Sequence, residues 1–89
     1  MKNSKQLERH FKGVANHCRL DILLLISKAK EISLEHIASE LDRNMKTISE
    51  HTRRLVAAGL VNKTYKGRKV IHSISPYGKM IVEFIKSFK

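Results

Sequence analysis

From Asn44 to Gly59 the chain reads NMKTISEHTRRLVAAG, and its apolar and polar positions separate with the period of a helix. Ile48, Thr52 and Leu55 fall on one side with Met45 and Ala58, and Lys46, Thr47, Glu50, Arg53, Arg54 and Ala57 fall on the other. The same period organises most of the chain. Leu7, Phe11 and Val14 form a narrow stripe on a charged helix over residues 5–15, whereas Leu20 and the run Ile22 to Ile26 are apolar nearly all round, as a central core helix requires. Leu34, Ile37, Ala38 and Leu41 give a third helix its buried face. Tyr77, Met80, Ile81, Phe84, Ile85 and Phe88 repeat at steps of three and four in a last helix opened by Pro76.

Local chemistry places the ends of these elements. Asn16, Ser33 and Asn44 are N-cap residues by type and position, and Glu35 sits in a first turn, where the helix dipole favours an acid. Asp42 suits the left-handed conformation of a sharp turn, and Gly59 suits a helix C-terminus. Leu60 to Lys66 and Lys69 to Ser75 are β-branched, aromatic and polar around Gly67-Arg68, which predicts a β-hairpin. No repeat or linker divides the chain. Residues 1–89 therefore predict a single domain, mainly α with a small β-hairpin (α+β), in the order four helices, two strands, one helix. Two short helices over residues 33–59, followed by a hairpin over residues 60–75, are the elements of a winged helix-turn-helix.

Charge narrows the partners. The 89 residues hold 18 Lys and Arg against 8 Asp and Glu, a formal charge of +10. A merely soluble surface mixes signs, so the expected partner is a polyanion, with double-stranded DNA foremost. A domain this small buries only about 60–65 % of its unfolded surface, so a homodimer interface would help it. A single cysteine excludes an internal disulfide, and no run is long enough to span a bilayer, so a cytoplasmic setting without membrane association is expected.

Candidate chemistry is sparse. Histidines at 10, 17, 36, 51 and 72 show no short ligand spacing beyond the adjacent His17-Cys18, whose side chains point apart on a helix. No metal and no cofactor is expected. Cys18 beside Arg19 is either a low-pKa thiol or a small buried residue. No nucleophile-base-acid set, carboxylate pair or glycine-rich phosphate loop is present, so the chain does not read as an enzyme.

Three stretches carry a resemblance. NHCRLDILLLI resembles the opening D-P-T-R-L-x-I-L-x-x-L of the ArsR-like winged-helix transcriptional regulators, through Arg19, Leu20, Ile22 and Leu23, with Asn16 standing for the acid. IASELDRNMKTISEHTRRLVAAGLV is similar to that family's L-A-x-x-L-G-L-S-Q-S-T-V-S-H-H-L-x-x-L-x-x-A-G-L-V, and GRKVIHSI resembles its wing G-R-x-V-Y-Y-x-L. The likeness spans about residues 14–75. It implies a DNA-binding regulator whose first and last helices pair across a two-fold axis. Thr52 departs from the family's leucine and Glu50 from its histidine. Where metal-sensing members carry a C-V-C pair, this chain has Ser33 and Glu35, and its last helix has Glu83 but no histidine.

The expected reading residues are Asn44, Lys46, Thr47, Ser49, Glu50, His51, Arg53 and Arg54, with Lys63, Lys66, Arg68 and Lys69 on the wing. Leu7, Phe11 and Val14 on residues 1–15, and Met80, Ile81, Phe84, Ile85 and Phe88 on residues 77–89, are the expected dimer interface. Together they predict a homodimeric repressor on a near-palindromic operator. The alternative is a winged-helix protein-interaction module, which would call for an apolar or acidic reading face. RNA binding would call for several exposed aromatics, and Tyr65 is the one good candidate. Glu50 either pairs with neighbouring cations or accepts from a cytosine amino group.

Overall fold

In the computed structural model, which describes residues 1–88, every helix begins on a side-chain cap. Helix α1 (Ser4–Val14) opens with a capping box that the sequence reading missed: Asn3 Oδ1 accepts from the Gln6 N–H, and Gln6 Oε1 accepts from the Asn3 N–H, both at 2.9 Å. Asn16, Ser33 and Asn44 cap α2 (His17–Ala29), α3 (Leu34–Leu41) and α4 (Met45–Ala57). Ser75 caps α5 (Pro76–Lys86), with Pro76 in its first turn. Each such cap contributes about 1 kcal/mol. Asp42 ends α3 at φ 50, as its residue type predicts.

The hairpin expected after Gly59 consists of β2 (Val61–Lys66) and β3 (Lys69–Ile74), paired antiparallel from Val61↔Ile74 to Lys66↔Lys69. Gly67 at φ 63 is the first loop residue and Arg68 has no positive φ, the pattern of a II′ loop. A third strand was not anticipated. β1 (Ile32–Ser33) pairs with β3 opposite His72 and Ile71, giving the order β1-β3-β2. Two residues are too few to show a period. Because β1 runs directly into α3, backbone hydrogen bonds tie the helix-turn-helix to the wing, and Lys66 Nζ adds an ion pair to Glu31 Oε1 at 2.7 Å. Lys30, between α2 and β1, makes a tight turn at φ 64 and ψ −65, with the Glu31 N–H donating to the Ala29 carbonyl.

Helix α2 lies at the centre, against α1, α3, α4, α5 and β3. Its Ile22, Leu23 and Ile26 are fully buried with Ile37, Ile48, Leu55 and Leu60. Cys18 is buried as well, the plainer of its two readings. Met45, expected toward the core, is 42 % exposed instead. It is the first residue of α4, and the face the core takes up begins a turn later at Ile48.

The last helix joins the body at one tight point. Ser75 Oγ donates to the Gly59 carbonyl at 2.7 Å and accepts from the Gly78 N–H at 3.0 Å, and the Ser75 N–H donates to the Leu60 carbonyl at 3.1 Å. Gly78 is buried so closely here that a Cβ would collide with the Leu60 carbonyl oxygen and meet Ile74 Cγ1 at 2.9 Å. Gly78→Ala should therefore destabilise the domain by about 1–3 kcal/mol. In a thermal melt that is a loss of roughly 5–20 °C, and an unchanged midpoint would contradict this packing.

Candidate nucleic-acid interface

Helix α4 is fixed by its inner edge and its end. Ile48, Thr52 and Leu55 are buried, although Thr52 Oγ1 has no hydrogen-bond partner where the ArsR-like pattern has leucine. At the C-terminal end Arg9 donates from Nε and Nη2 to the Ala57 carbonyl at 3.0 and 2.7 Å. His10 Nδ1 lies 2.7 Å from the Ala58 carbonyl, so the ring must donate there. Gly13 permits the approach, because a Cβ would collide with Ala58 Cβ.

The outer edge is thereby left to solvent. Lys46, Thr47, Ser49, Arg53 and Arg54 are exposed and Glu50 is half-buried among them. Asn44 is exposed too, but its Oδ1 is committed to capping the Lys46 and Thr47 amides. His51 is half-buried with Nδ1 enclosed and unpartnered; burial first, then Arg19, Arg54 and Arg43, holds its pKa below the ordinary 6.5 against the opposing pull of Glu50.

Glu50 takes both following arginines. Arg53 Nη2 reaches its two carboxylate oxygens at 2.8 Å each, and Arg54 approaches Oε1 through Nε at 3.3 Å and Nη2 at 3.2 Å. The Arg53 hydrogen bonds and charge, then Arg54, hold the Glu50 carboxyl below its usual range, and Glu50 raises Arg53 in return. Of the cations expected around Glu50, Lys46 has no ion pair to it among the described residues.

Between α4 and the wing runs a cleft of about 310 Å³. Ser49 and Arg53 face Lys63, Arg68 and Lys69 across it, with Glu35 at one end and Thr52 and His72 at its base. Three of the four expected wing cations thus converge on α4. Lys66, alternating with Lys63 on the strand, is instead exposed beside Glu31. His72 is 4 % exposed with Nδ1 unpartnered. Burial holds its pKa below the ordinary 6.5, Lys63 adding to the effect while the Ile32 backbone and Glu35 oppose it.

The terminal helices show an uncovered apolar surface. Leu7, Phe11, Met80, Phe84 and Phe88 are exposed, Phe84 by 55 % and Phe88 by 69 %, and the two phenyl rings meet edge-on at 5.1 Å. Val14, Ile81 and Ile85 are half-buried, and Val14 and Ile81 pack on the core. Ser33 and Glu35, which stand where metal-sensing members carry thiolates, lie at the start of α3, and Ser33 Oγ accepts from the His36 amide at 3.2 Å. Among the described residues no three His, Cys, Asp or Glu side chains group as a metal site would require. No helix among them is long and apolar enough to cross a membrane.

Helix-turn-helix, wing and flanking terminal helices define an ArsR-like winged helix-turn-helix protein. The chain belongs to the HVO_A0114 family, whose model matches residues 14–82. It is 33 % identical over 67 residues to the arsenical resistance operon repressor of Escherichia coli K12, covering 75 % of this chain and 57 % of that protein. The chain thus spans little more than half the length of this curated relative. HlyU from Vibrio cholerae N16961 is 29 % identical with a TM-score of 0.84, over 94 % of this chain and 91 % of that one. The Mycobacterium bovis Mb0332 fragment, a homodimeric winged helix-turn-helix DNA-binding domain described as a possible ArsR-family transcriptional regulator, is 27 % identical with a TM-score of 0.85 over 93 % and 77 %.

The two depressed histidines set a pH dependence. Between their folded-state pKa and 6.5 the unfolded chain binds protons that the folded chain does not, so stability is present above 6.5 and lost as pH falls below it. Urea midpoints should hold steady above about pH 7 and decline through the acid side of 6.5. His72→Gln should flatten that decline, and a variant that keeps the full decline would remove His72 as a cause.

Proposed function

We propose that the chain is a sequence-specific, double-stranded-DNA-binding transcriptional regulator that acts as a homodimeric repressor on a near-palindromic operator. One observation carries the reading: the outer edge of α4 and three wing cations face the same side of a chain whose net charge is +10. Helix α4 enters the major groove with Lys46, Thr47, Ser49 and Glu50 nearest the base edges, and His51 and the Asn44 cap contribute at their margin. Arg53, Arg54, Lys63, Arg68 and Lys69 engage the backbone, with Lys66 further out along the wing. The names of the Escherichia coli and Mycobacterium bovis relatives support repression and dimerisation.

Glu50 makes the reading selective. Its carboxylate neutralises two arginines in the free protein and accepts from a cytosine amino group at a base edge, at some cost in affinity for DNA as such. Selection of bound duplexes from a random pool tests function and residue together. The wild type should yield an inverted-repeat consensus, and Glu50→Ala should bind unrelated DNA more tightly with a blurred consensus. Recovery of no enriched sequence would overturn the proposal, and an identical consensus from Glu50→Ala would reduce the glutamate to charge balance.

The exposed stripes of α1 and α5 supply the two-fold interface, which in this family type sets the two reading helices about 34–36 Å apart, one turn of DNA. Phe84→Asp places a charge in that interface without touching the buried core. Sedimentation should then report a folded monomer, and a dimer of unchanged mass would move the interface elsewhere.

A further inference from the structure

The wing supplies cations to one flank of α4 only. On the opposite flank lies a hollow of about 270 Å³ lined by Arg9, Lys12 and Gly13 of α1, Arg19 of α2 and the Arg54 end of α4, with no acid among its lining residues. The two flanks follow from helix geometry. Ser49, Arg53 and Val56 turn toward the wing, whereas Arg54, Ala57 and Ala58 lie roughly 130° further round.

The four cations differ in what already holds them. Lys12 sits 3.7 Å from Glu8, Arg54 is held by Glu50, and Arg9 spends Nε and Nη2 on the Ala57 carbonyl. Among the described residues Arg19 pairs with no acid and donates to no carbonyl. Its Nε is buried without a hydrogen-bond partner, and it contributes to the depressed pKa of neighbouring His51. Arg19 as a whole is only half-buried, so its charge stands at the hollow without a protein anion to answer it, and an arriving phosphate oxygen supplies one.

Resting on the DNA-binding reading above, we infer that this hollow is a second phosphate clamp, in which Arg19, with Arg54 and Lys12 at its rim, takes the phosphodiester backbone bordering the major groove on the side away from the wing. The helix in the groove then meets a cationic wall on each flank. Glu50, lying between them, holds Arg53 of one wall and Arg54 of the other until DNA takes both. These contacts add affinity without reading sequence.

The test is a salt series on the selected operator with wild type and Arg19→Gln, alongside thermal melts of both proteins. Arg19→Gln should bind about tenfold more weakly near physiological salt, with a log–log salt slope shallower by about 0.9 and the same consensus. Ethylation interference should lose the phosphate signals on the strand away from the wing. If Arg19→Gln fails to fold, Lys12→Gln at the exposed rim should show the same loss in smaller degree. Wild-type affinity and slope in a folded variant would overturn the clamp while leaving the regulator reading intact. Absence of DNA binding by the wild type would overturn both.

Discussion

The closure of the C-terminal end of α4 is the constraint on which the proposed reading face depends. A helix leaves its last carbonyls without internal partners, and here each is answered. The Ala58 N–H donates to the Arg54 carbonyl, the Gly59 N–H to Val56 and the Leu60 N–H to Leu55, the paired bonds of a left-handed glycine terminus at φ 76. Ala57 and Ala58 are taken by α1, through the Arg9 fork and the His10 ring. Cations at that end also oppose the helix dipole, worth about 0.3–1 kcal/mol each. The consequence is geometric: α4 cannot tilt on the core without breaking bonds to the N-terminal helix.

Charge is arranged by a related economy of acids. Glu8, Asp21, Glu31 and Glu50 each face a basic partner, and every one of these pairs is at the surface. Such pairs contribute about 0–1 kcal/mol, too little to stabilise a fold. Their effect is placement. Glu31 holds Lys66 near β1, Asp21 holds Arg43 beside the turn into α4, and Glu50 holds two arginines along the helix. The self-repulsion that remains in a +10 chain is relieved by a polyanion, so the same charges that weigh on the free domain favour the proposed complex.

What the sequence disclosed and what it hid divide along sequence separation. The caps at Asn16, Ser33 and Asn44, the Asp42 turn, the Gly59 terminus and the hairpin around Gly67 are all local, written in residue type and a spacing of a few positions. Apart from the Asn3–Gln6 capping box, a local pair at a spacing of three, the hidden features join distant segments or break local preference. β1 is two residues whose partners lie about forty positions on, and Arg9 reaches a carbonyl 48 residues away. Lys30 adopts a positive φ that a lysine gives no reason to expect. At the proposed reading face, exposure of Lys46, Arg53 and Arg54 was legible from the period alone. That His51 is half-enclosed and that Lys66 leaves the cleft depended on neighbours no period reveals.

Helix α1 faces two ways, and this links the two halves of the proposed mechanism. Arg9, His10 and Gly13 turn inward onto the end of α4, while Leu7 and Phe11 turn outward to solvent on the opposite side. A two-fold contact made through that outer stripe, continued by Met80 and Phe84 of α5, would separate the two α4 helices by rigid elements rather than by loops. The spacing of half-sites would then be set by the thickness of packed helices, which sequence variation on the outer edge of α4 leaves untouched. In the proposed complex specificity would then change one side chain at a time, with the dimer frame held by residues away from the DNA.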